Sequence, residues 1–277
     1  MKMLRLLCLT ALAGLLLTTP FAGADEDELV LDGSTTVGPL AKAFAEHFMD
    51  ENSDVNVTVS ESGSGNGAKG LINGSCDIGM MSRFMKDGEF EAAVDEGVMP
   101  IAHVVALDAI APVVHPANPV SDLSLDQLRD IYSGEITNWK EVDGPDREIV
   151  VVSRDTNSGT YGVWGNIVLR GDDIANRAEY VGSNGAVRQR VQETRGAIGY
   201  VGLGFVDDTL KDVKVGGVTP NPGNAASGKY PIARPLYMFT NGYPKIGSPL
   251  HTFLSIHLTE TGQEMVEGVG YVPITQY

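Results

Sequence analysis

Three short segments of this chain carry residue types that hold anions. They are Asp32-Gly33-Ser34-Thr35-Thr36, Ser62-Gly63-Ser64-Gly65-Asn66-Gly67 and Asn157-Ser158-Gly159-Thr160. Each follows an apolar or alternating run: Leu29-Val30-Leu31, Val55 to Val59, and Ile149 to Val152, the last with Arg154 close behind. Small hydroxyls and glycine N–H groups at a helix start offer unpaired donors and the positive end of the helix dipole, and both favour an anion. One such loop would be ordinary capping chemistry. Three of them with one arginine predict a pocket that surrounds a small oxyanion.

Strands must stand behind these loops and helices ahead of them. The spacing predicts helices over Leu40–Met49, Ala68–Asn73, Leu125–Tyr132, Gly159–Leu169, Ala186–Glu193, Pro249–His257 and Thr261–Val266. Strands are predicted over Val55–Val59, Asp77–Met81, Ile149–Val152, Ala197–Val201 and Pro235–Thr240. Val104–Val114 is a continuous apolar run broken by Asp108 and Pro112, and Gly216–Gly228 reads as a surface loop. Alternating strands and helices predict an α/β fold with mostly parallel sheets and a ligand beyond the strands' carboxyl ends. Two anion loops fall in the first third of the chain and the third in its middle. Uniting them calls for two lobes around a cleft.

The first residues read as a signal for export. Met1-Lys2-Met3-Leu4-Arg5 is basic, Leu6 to Leu17 is apolar, and Ala22-Gly23-Ala24 is a small-residue cut site. Residues 1–24 are therefore expected to be removed, leaving roughly 250 residues, enough for one or two cores. The formal charge is −16, with 36 acids against 20 lysines and arginines. Losing Lys2 and Arg5 moves it to −18. Such acidity argues against nucleic acid and anionic membrane as partners. An anion site here has to work through short-range hydrogen bonds. Cleavage also removes Cys8, so no internal disulfide is available, and Cys76 is expected to be a small buried apolar residue.

Enzyme readings find little support. Gly65-Asn66-Gly67-Ala68-Lys69-Gly70 has dinucleotide-like glycine spacing, yet no acid ends a second strand about 20 residues on. Ser64 and Ser158 lie in turns, as nucleophiles do, but Gly63-Ser64-Gly65 is not a nucleophile elbow. His47, His103, His115, His251 and His257 have no telling neighbours, and no metal-ligand spacing is present. No catalytic residue, metal or cofactor is expected. Trp139 and Trp164 are expected to pack in a core or hinge.

The motifs taken together are similar to those of one family. Asp32 to Leu40, Ser62 to Gly67, Asp77-Ile78-Gly79-Met80-Met81-Ser82-Arg83, Ser153 to Thr160, Gly196 to Val201 and Gly268-Val269-Gly270-Tyr271-Val272-Pro273 stand in its order. The chain resembles the periplasmic phosphate-binding subunit of the phosphate ABC transporter. The resemblance implies a class II periplasmic binding protein fold, with two lobes joined by two crossover strands and the ligand in the interlobe cleft. One lobe would hold 25–111 and 234–277, the other 112–233, with crossovers near Ala109–His115 and Ile232–Leu236.

Family positions imply a phosphate site. Thr35 and Thr36 would contact the anion through hydroxyl and backbone N–H, and Ser64 would cap a helix aimed at it. Arg154 would make a charge-assisted, bidentate contact. Ser158, Gly159 and Thr160 would serve from the second lobe, and Asp155 would orient Arg154 or cap a helix. Ser82 stands where several members have a carboxylate that accepts the proton of hydrogen phosphate and rejects sulfate. Arg83 would add a second cation, or else pair with an acid such as Asp87. The implied function is capture of inorganic phosphate and delivery to a membrane permease by a periplasmic monomer. The alternatives are another tetrahedral oxyanion such as sulfate, or an exported serine hydrolase.

Overall fold

A computed structural model of the chain describes residues 28–275, and the expected signal segment lies outside them. The first part comprises β1 (Glu28–Gly33), α1 (Gly38–Glu51), β2 (Asn56–Ser60), α2 (Ser64–Ile72), β3 (Ile78–Met81), α3 (Asp87–Asp95) and β4 (Pro100–Val114). The middle comprises β5 (Asp122–Leu123), α4 (Leu125–Ser133), β6 (Val150–Arg154), α5 (Gly159–Trp164), β7 (Glu179–Val181), α6 (Asn184–Glu193), β8 (Ala197–Gly202), β9 (Lys211–Asp212), β10 (Lys214–Val215) and α7 (Pro222–Ala226). The chain returns through β11 (Ala233–Asn241), α8 (Pro249–Ser255) and α9 (Glu260–Gly268).

One sheet runs through both lobes in the order β2-β1-β3-β11-β4-β8-β6-β7, with β9 on β4. Within each lobe the strands that precede the anion loops pair in parallel: β1 with β2 and β3, and β6 with β7 and β8. The two strands that join the lobes are antiparallel, because one carries the chain across and the other brings it back. β4 pairs with β11 from Pro100 to Ala109, then with β8 from Ile110 to Val114. The change of partner falls between Ala109 and Ile110.

Each lobe buries its own apolar faces. Leu31, Phe44, Phe48, Leu236 and Phe253 gather in one core. Leu128, Trp139, Trp164, Ile198 and Tyr200 gather in the other. Trp164 stacks on Tyr200 at 4.3 Å between centroids, and Tyr132 lies 5.0 Å from Trp164. This plate sits under the end of β6, where the Tyr200 hydroxyl accepts from Arg154 N (3.2 Å). Cys76 is buried and free.

Three local expectations change. α2 begins at Ser64 rather than Ala68. Its glycines are poor helix formers, but a Cβ on Gly67 would lie 2.8 Å from Asp32 O and 2.9 Å from Met80 O. Glycine is there because the helix presses against the ends of β1 and β3. The Gly159–Leu169 helix divides, with α5 passing into a π turn over Gly165–Leu169. The Gly216–Gly228 loop holds α7, started by Pro222 behind the Asn221 cap.

Candidate oxyanion site

The loop after β1 turns on Ser34, whose hydroxyl accepts from Thr36 N (3.1 Å) and Val37 N (3.3 Å). That fold-back presents Ser34, Thr35 and Thr36 ahead of α1. Gly63, at a φ of 104° that favours glycine, delivers the chain into α2 with Ser64 as its first residue. Ser158 caps α5 by accepting from Tyr161 N (3.2 Å). The three helix starts converge on one small, tightly closed cavity, lined by Ser34, Thr35, Thr36, Gly63, Ser64, Ser82, Arg154, Ser158, Gly159 and Thr160. First-turn N–H groups at Ser64, Gly159 and Thr160 have no carbonyl of their own helix to reach.

Arg154 supplies the charge. It ends β6 and is only 1% exposed. Nε donates to Val181 O (3.2 Å), and Nη2 donates to Gly182 O (2.9 Å) and Thr35 Oγ1 (3.3 Å). Nη1 is buried without a hydrogen-bond partner. Among the described residues Arg154 has no acidic ion-pair partner. Burial pulls its guanidinium down to about 10, so it remains a cation at neutral pH. A buried charge without a counter-ion is costly, and an anion in the cavity would relieve it.

The lobes meet directly around the cavity. Gly65 N donates to Asn157 O (2.9 Å), and the Thr36 and Thr160 hydroxyls lie 3.2 Å apart. A Cβ added at Gly159 would stand 2.5 Å from both Ser64 Oγ and Ser82 Oγ. Only glycine allows α5 to approach the first lobe this closely.

Eight of the nine residues singled out in the sequence line this cavity: Thr35, Thr36, Ser64, Ser82, Arg154, Ser158, Gly159 and Thr160. Arg83 does not. Its Nη1 and Nη2 donate to the Glu89 carboxylate at 2.7 and 2.6 Å, and Nη1 also to Phe84 O (3.0 Å). The partner is Glu89 rather than Asp87, because Glu89 also accepts from Lys86 N (2.9 Å) at the start of α3 and is thereby fixed beside Arg83. Glu89 is half-buried, yet bonds from Arg83 hold its carboxyl below the usual range.

Three expected roles differ in detail. Ser64 does not cap α2; its hydroxyl accepts from Ser82 N (3.1 Å) and so positions the neighbouring strand end. The Thr36 N–H is spent on Ser34. Asp155 neither orients Arg154 nor caps α5; it accepts from Asn157 N (2.8 Å) in the turn before Ser158, while carbonyls of Val181 and Gly182 orient the arginine.

Some residues around the site had escaped the sequence reading. Asn184, the buried first residue of α6, donates to Thr35 Oγ1 and Thr36 Oγ1, both at 3.0 Å. Arg234 on β11 donates to Asp108 through Nε (3.0 Å) and Nη2 (2.8 Å), and through Nη1 to Ser82 O (3.0 Å). Burial pushes the Asp108 carboxyl upward against the pull of Arg234. An acid inside the apolar run 104–114 was the sequence signal for that pair. No acid and no histidine lines the cavity. Among the described residues no three His, Cys, Asp or Glu side chains are placed to hold a metal ion. With donors in plenty and no base beside the serines, the arrangement binds an anion.

A two-lobed α/β chain that closes a donor-rich cavity between its halves is a solute-binding protein by fold and by site. The PBP superfamily domain matches residues 19–254. The phosphate-binding protein PstS of Bacillus subtilis is 34% identical over 249 residues, 89% of this chain and 81% of that protein. PstS of Pseudomonas aeruginosa is also 34% identical, over 87% of this chain and 81% of its own. A Clostridium perfringens substrate-binding protein, assigned to a phosphate ABC transporter and solved with bound phosphate, superposes with a TM-score of 0.84. It is 35% identical and covers 90% of this chain and 100% of its own. An ABC-type phosphate transport receptor from Vibrio cholerae gives a TM-score of 0.72 at 29% identity, over 88% of this chain and 99% of its own. The chain belongs to the PstS family of phosphate-binding proteins.

Proposed function

We propose that the protein captures inorganic phosphate outside the cytoplasm and delivers it to the permease of a phosphate ABC transporter, without catalysis. The observation that carries this reading is Arg154: a buried guanidinium with an unpartnered Nη1, facing three helix starts. Arg154, the hydroxyls of Thr35, Thr36, Ser64, Ser82, Ser158 and Thr160, and the N–H groups at Gly159 and its neighbours would hold the oxygens. Arg83 is left out of that shell, since Glu89 occupies its guanidinium. Lobe boundaries at 25–111 with 234–277, and 112–233, accord with the change of partner along β4. A cleaved export signal over 1–24 and a monomeric state complete the proposal.

The absence of a lining acid favours a second reading, in which sulfate is also admitted. A carboxylate would repel an ion that has no proton to give, whereas a serine repels it far less. Calorimetric titration of dialysed protein with phosphate, and with sulfate as competitor, tests both readings. One phosphate per chain is expected, with measurable sulfate competition. Absence of any phosphate heat or thermal stabilisation would refute phosphate capture, and complete exclusion of sulfate would refute the wider selectivity.

A further inference from the structure

Asn184 lies at the edge of the cavity without lining it, and its hydrogen bonds decide where three hydroxyl protons point. Its Oδ1 accepts from Gly202 N–H (3.3 Å). Rotating the amide by half a turn would set N–H against N–H there, so the orientation is fixed by the backbone. Both Nδ2 protons therefore face the first lobe, one to Thr35 Oγ1 and one to Thr36 Oγ1.

A hydroxyl oxygen accepts two hydrogen bonds and donates one. Thr35 Oγ1 receives Asn184 Nδ2 and Arg154 Nη2, neither of which can accept. Its own proton is left to point into the cavity it lines. Thr36 Oγ1 receives Asn184 Nδ2 and Arg234 Nη2 (3.4 Å), so its proton goes to Thr160 Oγ1, 3.2 Å away. Thr160 Oγ1, having accepted, turns its own proton into the cavity. Ser34 behaves alike, because both its lone pairs are taken by Thr36 N–H and Val37 N–H.

We propose that Asn184 is a positioning residue, which turns the Thr35 hydroxyl proton into the cavity directly and the Thr160 proton into it by way of Thr36. It never touches the ligand. These two protons face the bare oxygens of a tetrahedral anion, and acceptor capacity is left to Thr160, Ser82, Ser64 and Ser158. The inference rests on the phosphate-capture reading of the same cavity.

A double-mutant cycle tests it. Asn184→Ser shortens the side chain beyond reach and frees the hydroxyl rotors. Thr35→Val removes the hydroxyl on which Asn184 acts. Each single change is expected to weaken phosphate binding about tenfold, the worth of one hydrogen bond. If Asn184 works through that hydroxyl, the double variant binds within about threefold of the weaker single one. Additive losses, about a hundredfold together, overturn the inference, as does wild-type affinity in Asn184→Ser. Neutron diffraction of the phosphate-bound wild type needs no variant to fold. Deuterium on Thr35 and Thr160 hydroxyls directed at the ligand is expected, and deuterium on Thr35 directed at Asn184 overturns it. A wild type that binds no phosphate at all would instead sink the reading on which the inference rests.

Discussion

Arg234 and Asp108 stand directly opposite each other where β11 runs beside β4, and their side chains form an ion pair with almost no exposure. The same guanidinium reaches Ser82 O on the cavity wall, and Asp108 Oδ1 accepts from Leu203 N (2.9 Å) just past β8. One charge pair thus ties the crossover, the first lobe's wall and the second lobe's sheet together. Removing one partner leaves the other charge buried alone.

Asp108→Asn is therefore expected to destabilise the protein by roughly 3 kcal/mol, a fall of about 6–12 °C in Tm. Replacing both residues, as Asp108→Leu with Arg234→Met, should recover part of the loss. Calorimetric melting of the three variants checks this, and an unchanged Tm in Asp108→Asn would contradict it.

Arg154→Ala should weaken phosphate binding at least about tenfold, since a charged hydrogen bond contributes on the order of 1.5–3 kcal/mol. Arg154→Lys should recover only part, because an ammonium lacks the planar fork. The rise in Tm that phosphate produces by mass action should disappear in the alanine variant. Unchanged affinity there would mean that the anion sits elsewhere.

Arg83 separates stability from binding. Arg83→Ala should keep phosphate affinity within about threefold while lowering Tm, because the guanidinium serves Glu89. Glu89 also gives a pH signature. Bonds from Arg83 and the Lys86 N–H hold its folded-state carboxyl below its ordinary value, so its contribution is full above that ordinary value and is lost as pH falls through the folded pKa. Acid unfolding of Glu89→Gln should show a shallower stability loss below about pH 4.5 than the wild type. Matching acid profiles would count against the pair.

Gly159→Ala should block closure rather than folding. The added methyl would meet Ser64 Oγ and Ser82 Oγ at 2.5 Å, contacts made only when the lobes come together. Phosphate affinity is expected to drop at least tenfold with the ligand-free Tm nearly unchanged. Small-angle scattering should show compaction by phosphate in the wild type and little in the variant. Equal compaction in both would show that the close contact does not limit closure.

Much of this site was legible because its signals are local. Hydroxyl and glycine loops behind strands mark helix starts within a few residues, and Arg154 follows its strand directly. Asn184 was not legible, since its partners Thr35 and Thr36 lie 149 and 148 residues away and only the fold brings them together. Arg83 was misplaced for a related reason. Its guanidinium looked available beside Ser82, but a helix that starts at Asp87, unread in the sequence, supplied Glu89 six residues on. α2 began earlier than propensity suggests because close packing, not helix preference, chose its glycines.

The meeting of Ile110 and Ile232, where Ile110 N donates to Ile232 O at 2.8 Å, bears on how the chain is made. The segment between them leaves and re-enters at neighbouring points, so the second lobe is continuous in sequence. The first lobe is not, because its sheet lacks β11 until the last part of the chain has been synthesised. During synthesis the inner lobe can close while its surroundings are still waiting for a strand. Pairing β3 and β4 with β11 closes a long loop, a slow step of high contact order. Until then the faces of β3 and β4 that await β11 are open edges, and that interval is where a chaperone would find most to hold.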